Sequence, residues 1–167
     1  MKKSITLLVV LMLVFAMTVP ALAETIDQDT ASGEGSSVLT YTVTSTYTVT
    51  IPAATETISG ATKDLTVTIS NTSFVIPYGQ KLSVAVSSDN YANSSWNLVD
   101  KSNVANKLAY TITKNSADVA NNGEVVSRAA DSTAEADTAT LTLTPAAAKF
   151  AGTYEDTLTF TASLKAA

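Results

Sequence analysis

From Leu39 to Ile51 the chain alternates with unusual strictness. Leu39, Tyr41, Val43, Tyr47, Val49 and Ile51 fall on odd positions, interrupted only by Ser45, and threonine fills every even position from Thr40 to Thr50. A period of two sends successive side chains to opposite faces, so the stretch predicts a long strand with a buried Leu/Tyr/Val face and a wet hydroxyl face. The same rhythm returns downstream with Leu65, Val67 and Ile69, then Leu82, Val84 and Val86, then Leu108, Tyr110 and Ile112. It closes with Ala139, Leu141 and Leu143 and finally Leu158, Phe160, Ala162 and Leu164. Weaker strand candidates lie at 74–76 and 96–99. Gly, Pro, Asn, Asp and Ser clusters separate these runs: Pro52 ends the first, residues 87–90 and 121–124 supply turn formers, and Gly152 precedes the last. Only residues 144–152, with Pro145, a run of three alanines and a closing glycine, predict a short helical turn. Strands at this spacing predict an all-β fold, an antiparallel sandwich or barrel of seven to nine strands.

The N-terminus has a different pattern. Lys2 and Lys3 precede an apolar run from Ile5 to about Val19, and Ala21-Leu22-Ala23 follows as a small-residue cleavage site. This is the three-part pattern of a secretory signal peptide, whose apolar run is shorter than the roughly 20 residues of a spanning helix. Cleavage between Ala23 and Glu24 is expected, and with it a secreted chain, extracellular or held at the cell wall, that leaves the membrane. Residues 24–37 are polar, acidic and rich in Gly and Ser, a flexible segment by composition. The expected organisation is a signal-peptide helix over 1–23, the flexible segment over 24–37 and one sandwich domain over 38–167.

Charge and composition narrow the chemistry. Without Lys2 and Lys3, eight basic residues stand against 15 acidic ones, a formal charge of −7, and the basic residues are scattered singly. Such a surface disfavours nucleic acid and anionic lipid. The absence of cysteine excludes disulfides and a lipid-modified cysteine, so the fold must stand on its apolar core. Histidine is absent too. Ser-His-Asp triads, Cys-His dyads and Cys/His zinc sites are therefore impossible, which leaves carboxylate or serine-lysine chemistry.

Paired carboxylates are not evident. Glu155 and Asp156 are adjacent, hence on opposite faces of a strand, and read as a solvated acidic turn. Residues 131–137 lack the glycine and terminal glutamate of an EF-hand loop. Lys63, Lys81, Lys107 and Lys165 flank strands, with Asn71 and Asn97 as conceivable isopeptide acceptors; lysines guarding strand edges are the plainer reading. No enzyme activity, cofactor or metal is expected.

Two aromatic stretches remain. Trp96 lies in "NYANSSWNLVD", and the last strand reads "AGTYEDTLTFTASL". Physically, Trp96 reads as the largest piece of a core whose indole N–H needs one partner, and Tyr154 as a corner tyrosine bonding back to the backbone. The Trp96-Asn97-Leu98 unit, with the later "GTYEDTLTFT", resembles the WxL-type surface domains of Gram-positive bacteria and secreted Ig-like modules more widely. That resemblance implies an exported, antiparallel Ig-like β-sandwich of the cell surface and makes Trp96, Leu98, Tyr154 and Phe160 candidate contacts to peptidoglycan or other surface proteins. In the WxL family two tryptophan motifs support wall attachment; here Phe160 and Ala162 stand where the second would have tryptophan and leucine. The reading is a non-catalytic cell-surface or wall-associated protein. The alternative is a subunit of a surface fibre, pilus or coat that assembles by adding its first or last strand to a neighbour's sheet.

Overall fold

The computed structural model describes residues 40–53, 56–58 and 61–167. The leader, its Ala23/Glu24 junction, the segment over 24–37 and Leu39 lie outside the described residues. Ten strands follow one another: β1 (Val49–Thr50), β2 (Lys63–Ser70), β3 (Gln80–Ser88), β4 (Trp96–Asp100), β5 (Lys107–Lys114), β6 (Ala117–Asp118), β7 (Gly123–Ala129), β8 (Ala136–Pro145), β9 (Tyr154–Glu155) and β10 (Leu158–Ala166). Every pairing between them is antiparallel. One sheet runs β1-β2-β8-β5-β4-β9, with β6 beside β5, and the other runs β10-β3-β7. The fold is the all-β, antiparallel two-sheet arrangement that the alternation predicts, and no helix occurs among the described residues.

The alternating positions become the core. Leu65, Val67 and Ile69 of β2, Leu82, Val84 and Val86 of β3, and Ala139, Leu141 and Leu143 of β8 are buried, together with Trp96, Tyr110 and Ile112. Each fully buried Val, Leu or Ile contributes roughly 1.5–3 kcal/mol relative to exposure, and with no disulfide this interior carries the fold. The opposite face of the larger sheet keeps its hydroxyls outward: Thr68 and Thr138, opposite one another on β2 and β8, share a hydrogen bond at 3.1 Å, and Thr142 donates to Asp64 at 2.7 Å.

Three expectations are corrected. The long first strand is reduced to β1 and one bridge from Thr46 to Val75. Its partner β2 ends at Ser70, whose N–H donates to the Thr48 carbonyl, and the chain then turns through Ser73, whose φ is 57°. Among the described residues no strand consequently lies beside residues 40–44, and all five are exposed, Tyr41 at 91% and Val43 at 60%. The candidate strand over 74–76 contributes only the bridge at Val75. The helical turn over 144–152 does not form: Pro145 still faces Tyr110, and the Ala146 N–H donates to the Ala109 carbonyl at 2.8 Å, so the backbone continues along β5.

Two strands escaped the sequence reading, the two-residue β6 and the longer β7. β7 carries Val125 and Val126 side by side, both buried, which breaks the period of two. The register shifts there, with Val84 opposite Val126 and Ala85 opposite Glu124, leaving Val125 as the extra residue of a β-bulge.

Candidate functional site

The four residues singled out from the sequence do not converge. Trp96 and Leu98 share β4, Tyr154 lies on β9 and Phe160 lies in the other sheet opposite Val86. Trp96 is 6% exposed, and its Nε1 donates to the Val119 carbonyl at 3.1 Å. Tyr91 meets its ring edge-on at 5.2 Å between centroids, and Tyr110 lies tilted at 6.1 Å. The indole thus fills the core and spends its one polar atom internally. A cleft of about 270 Å3 opens beside it, lined by Tyr91, Ser94, Ser95, Tyr110 and Asp118. Leu98 is half-buried opposite Leu108. Tyr154 donates its hydroxyl to the Phe150 carbonyl at 3.0 Å, the bond of a corner tyrosine.

Two polar clasps tie the sheets together at opposite ends of the sandwich. At one end Asp156 is a hub and not a solvated turn residue. Its Oδ2 accepts from the Ser88 hydroxyl at 2.6 Å and from the Tyr110 hydroxyl, and its Oδ1 accepts from Asn90 Nδ2 at 3.0 Å and the Thr157 N–H at 2.8 Å. Burial, and then the bond to and charge of Asp156, hold the Tyr110 phenol far above its ordinary range. Adjacent Glu155 pairs with Lys101 at 3.0 Å in solvent.

At the other end Arg128 of β7 is 1% exposed. Its Nη1 donates to Asp137 Oδ2 at 2.7 Å; its Nη2 donates to Asn71 Oδ1 at 2.9 Å and to the carbonyls of Ala134 at 2.6 Å and Ser132 at 3.2 Å. The guanidinium lies 5.0 Å from the Phe74 ring centre, a cation–π contact. Its Nε makes no hydrogen bond among the described residues, because the plane is set by the other four bonds. A clasp of this kind had no signal in the sequence, since its members come from four separate segments.

Four of the lysines and asparagines considered for an isopeptide bond have other partners. Asn71 is engaged by Arg128 and Asn97 donates to the Asn90 and Ser95 carbonyls, while Lys63 and Lys81 pair with Glu56 and Glu124. Burial alone would push the Glu124 carboxyl up, but Ser83, Ser127 and Lys81 outweigh it and hold it at about 2. Among the described residues no group of three or more acidic side chains is placed to hold a metal ion.

The feature that stands out is an edge. β1 and β9 are two residues long, and β9 covers only Val99 and Asp100 of β4. β7 is bulged, and Lys114 Nζ caps the Val125 carbonyl at 2.9 Å, two devices that blunt an edge. β10 has neither. It pairs with β3 over all nine residues in unbroken register, from Leu158 opposite Ser88 to Ala166 opposite Gln80, and nothing pairs with its outer side among the described residues.

The register also fixes which groups face outward. The Asp89 N–H donates to the Thr157 carbonyl and the Ala167 N–H to the Gly79 carbonyl. In an antiparallel ladder residues that face each other in such a pair turn both backbone groups toward the partner, and their neighbours turn both away. Odd-numbered residues of β10 therefore bond β3, and Leu158, Phe160, Ala162 and Leu164 present N–H and C=O to the open side. Their side chains form the apolar row packed against the core, only partly buried. Lys165 is the one charge on the strand.

No family model matches the chain, and no curated protein matches it. Among solved structures, a chain from a chaperone–tip adhesin complex of CFA/I fimbriae biogenesis is similar at 12% identity and a TM-score of 0.43, over 65% of this chain and 36% of that one. The chain thus spans about a third of that neighbour's length.

Proposed function

We propose that this chain is a non-catalytic, exported surface β-sandwich that works by contact with protein partners, using the open side of β10 as its contact edge. The observation that carries the reading is the nine-residue edge in regular register, with outward backbone groups backed by a half-covered apolar row. Such an edge is a template for strand addition, in which backbone bonds supply affinity and alternate side chains supply selectivity. The leader supports export. The lack of histidine and cysteine removes most catalytic machinery. Membership in a fibre or coat is the form of this reading that the edge favours. Wall-glycan attachment comes second, because a tryptophan that stacks on sugar needs an open face and Trp96 is buried.

Ala162→Pro isolates the edge. The Ala162 N–H points away from β3, so proline there removes an outward donor and leaves the β3 ladder intact. On cells producing the full chain, the expected result is that wild type is retained at the surface with Glu24 as its first residue, whereas Ala162→Pro is exported equally and recovered in the medium. Retention of the intact leader inside the cell would overturn export. Equal surface retention of both chains would overturn the edge as the contact, and pelleting of both with purified sacculi would then assign attachment to glycan.

A further inference from the structure

Resting on that reading, we propose that the occupant of the β10 edge is the segment over residues 40–44 of a second copy of this chain. The segment is strand-like in pattern and has no strand beside it among the described residues. Tyr41 and Val43 are exposed, whereas Tyr47 and Val49, which continue the same odd-numbered face, are packed against the core. Half of one alternating stretch is docked, and the other half has no partner among the described residues. The Thr46–Val75 bridge anchors it at its C-terminal end, and its exposure shows that it is not seated on its own β10.

Segment and edge match in four respects. Five residues of strand span roughly 17 Å and the nine of β10 roughly 30 Å, so the segment fits within the edge. In strand register Tyr41 and Val43 would cover the partly buried row of Phe160, Ala162 and Leu164, while Thr40, Thr42 and Thr44 would lie beside exposed Thr159 and Thr161. Residues 40–44 carry no charge and β10 carries only Lys165 near its end, so no repulsion opposes the approach. Proline is absent from both, which leaves every ladder donor in place.

The two surfaces differ, so the contact is heterologous. Each copy offers one segment and one edge, and repetition gives an open, head-to-tail chain of copies and not a closed symmetric dimer.

Complementation tests this by sedimentation of the exported full chain over a range of concentrations. Wild type is expected to form a concentration-dependent series of oligomers. Ala162→Pro, with its edge blocked, and Tyr41→Asp/Val43→Asp, with its segment blocked, are each expected to be monomeric alone and to form a one-to-one complex when mixed. Circular dichroism checks folding, and Thr159→Lys/Thr161→Lys, which charges the exposed face, replaces Ala162→Pro if the proline unfolds the strand. A wild type that stays monomeric at every concentration overturns the inference, as does a mixture that does not associate. Loss of association in the edge variant alone, with the segment variant unaffected, overturns this occupant and leaves the edge reading standing. The surface-retention experiment judges that reading separately.

Discussion

Asp137→Ala is expected to destabilise the fold by about 3 kcal/mol, the lower end of what breaking a buried ion pair costs. The lower end applies because the Asp137 side chain is 31% exposed while Arg128 is fully enclosed, and because Asn71 and two carbonyls still hold the guanidinium. The variant leaves a cation buried without its counter-charge. Arg128→Met/Asp137→Ala is expected to be less destabilised than Asp137→Ala alone, because removing both charges removes the uncompensated one. Urea midpoints measured at constant slope check the ordering. A double variant whose loss equals or exceeds the sum of the single losses would show that the clasp contributes through its separate hydrogen bonds and not through the pair.

Trp96→Ala is expected to cost about 3–5 kcal/mol, the range for truncating a large buried aromatic. The loss joins a cavity between Tyr91 and Tyr110 to an unpaired Val119 carbonyl. Trp96→Phe keeps most of the ring and loses the hydrogen bond, so its expected cost is smaller, about 1–3 kcal/mol. A domain of this size has roughly 5–15 kcal/mol of stability, so the alanine variant is expected to lose a large part of it. If Trp96→Phe remains folded, it should stay on the cell surface like wild type, because the edge is in the other sheet. Thermal and urea unfolding give the stabilities, and surface retention separates a packing role from a contact role.

Alternation made most of the fold legible. Wherever apolar side chains pack on the core from one face and polar ones alternate with them, as in β2, β3, β5, β8 and β10, the period of two appears directly in the residues. It failed where a different force decides the backbone. At β7 the bulge puts Val125 and Val126 on successive positions, so a strand looked like an unpatterned loop. At 40–48 the pattern was correct but its partner strand ended, and periodicity carries no information about neighbours. At 144–152 proline and alanines had helical character, yet the Ala146 bond to Ala109 kept the chain extended.

The clasps were invisible for a related reason. Asn71 is 57 residues from Arg128, and Ser88 is 68 from Asp156, while Arg128 and Asp137, nine apart, sit at a spacing that marks no motif. Trp96 was readable as core because a lone large aromatic with one donor finds its place inside. The β10 edge required topology: the sequence shows a strand there, but only strand order shows that its outer side has no partner among the described residues.

Residue-resolved amide exchange on β10 tests the central claim most directly. In dilute solution Thr159, Thr161 and Ser163 should exchange slowly, bonded to β3, while Phe160, Ala162 and Leu164 exchange quickly, and raising the concentration should protect this second set alone. Protection of Phe160, Ala162 and Leu164 already at high dilution would show that the chain covers its own edge. Their fast exchange at every concentration would show that no second copy binds there.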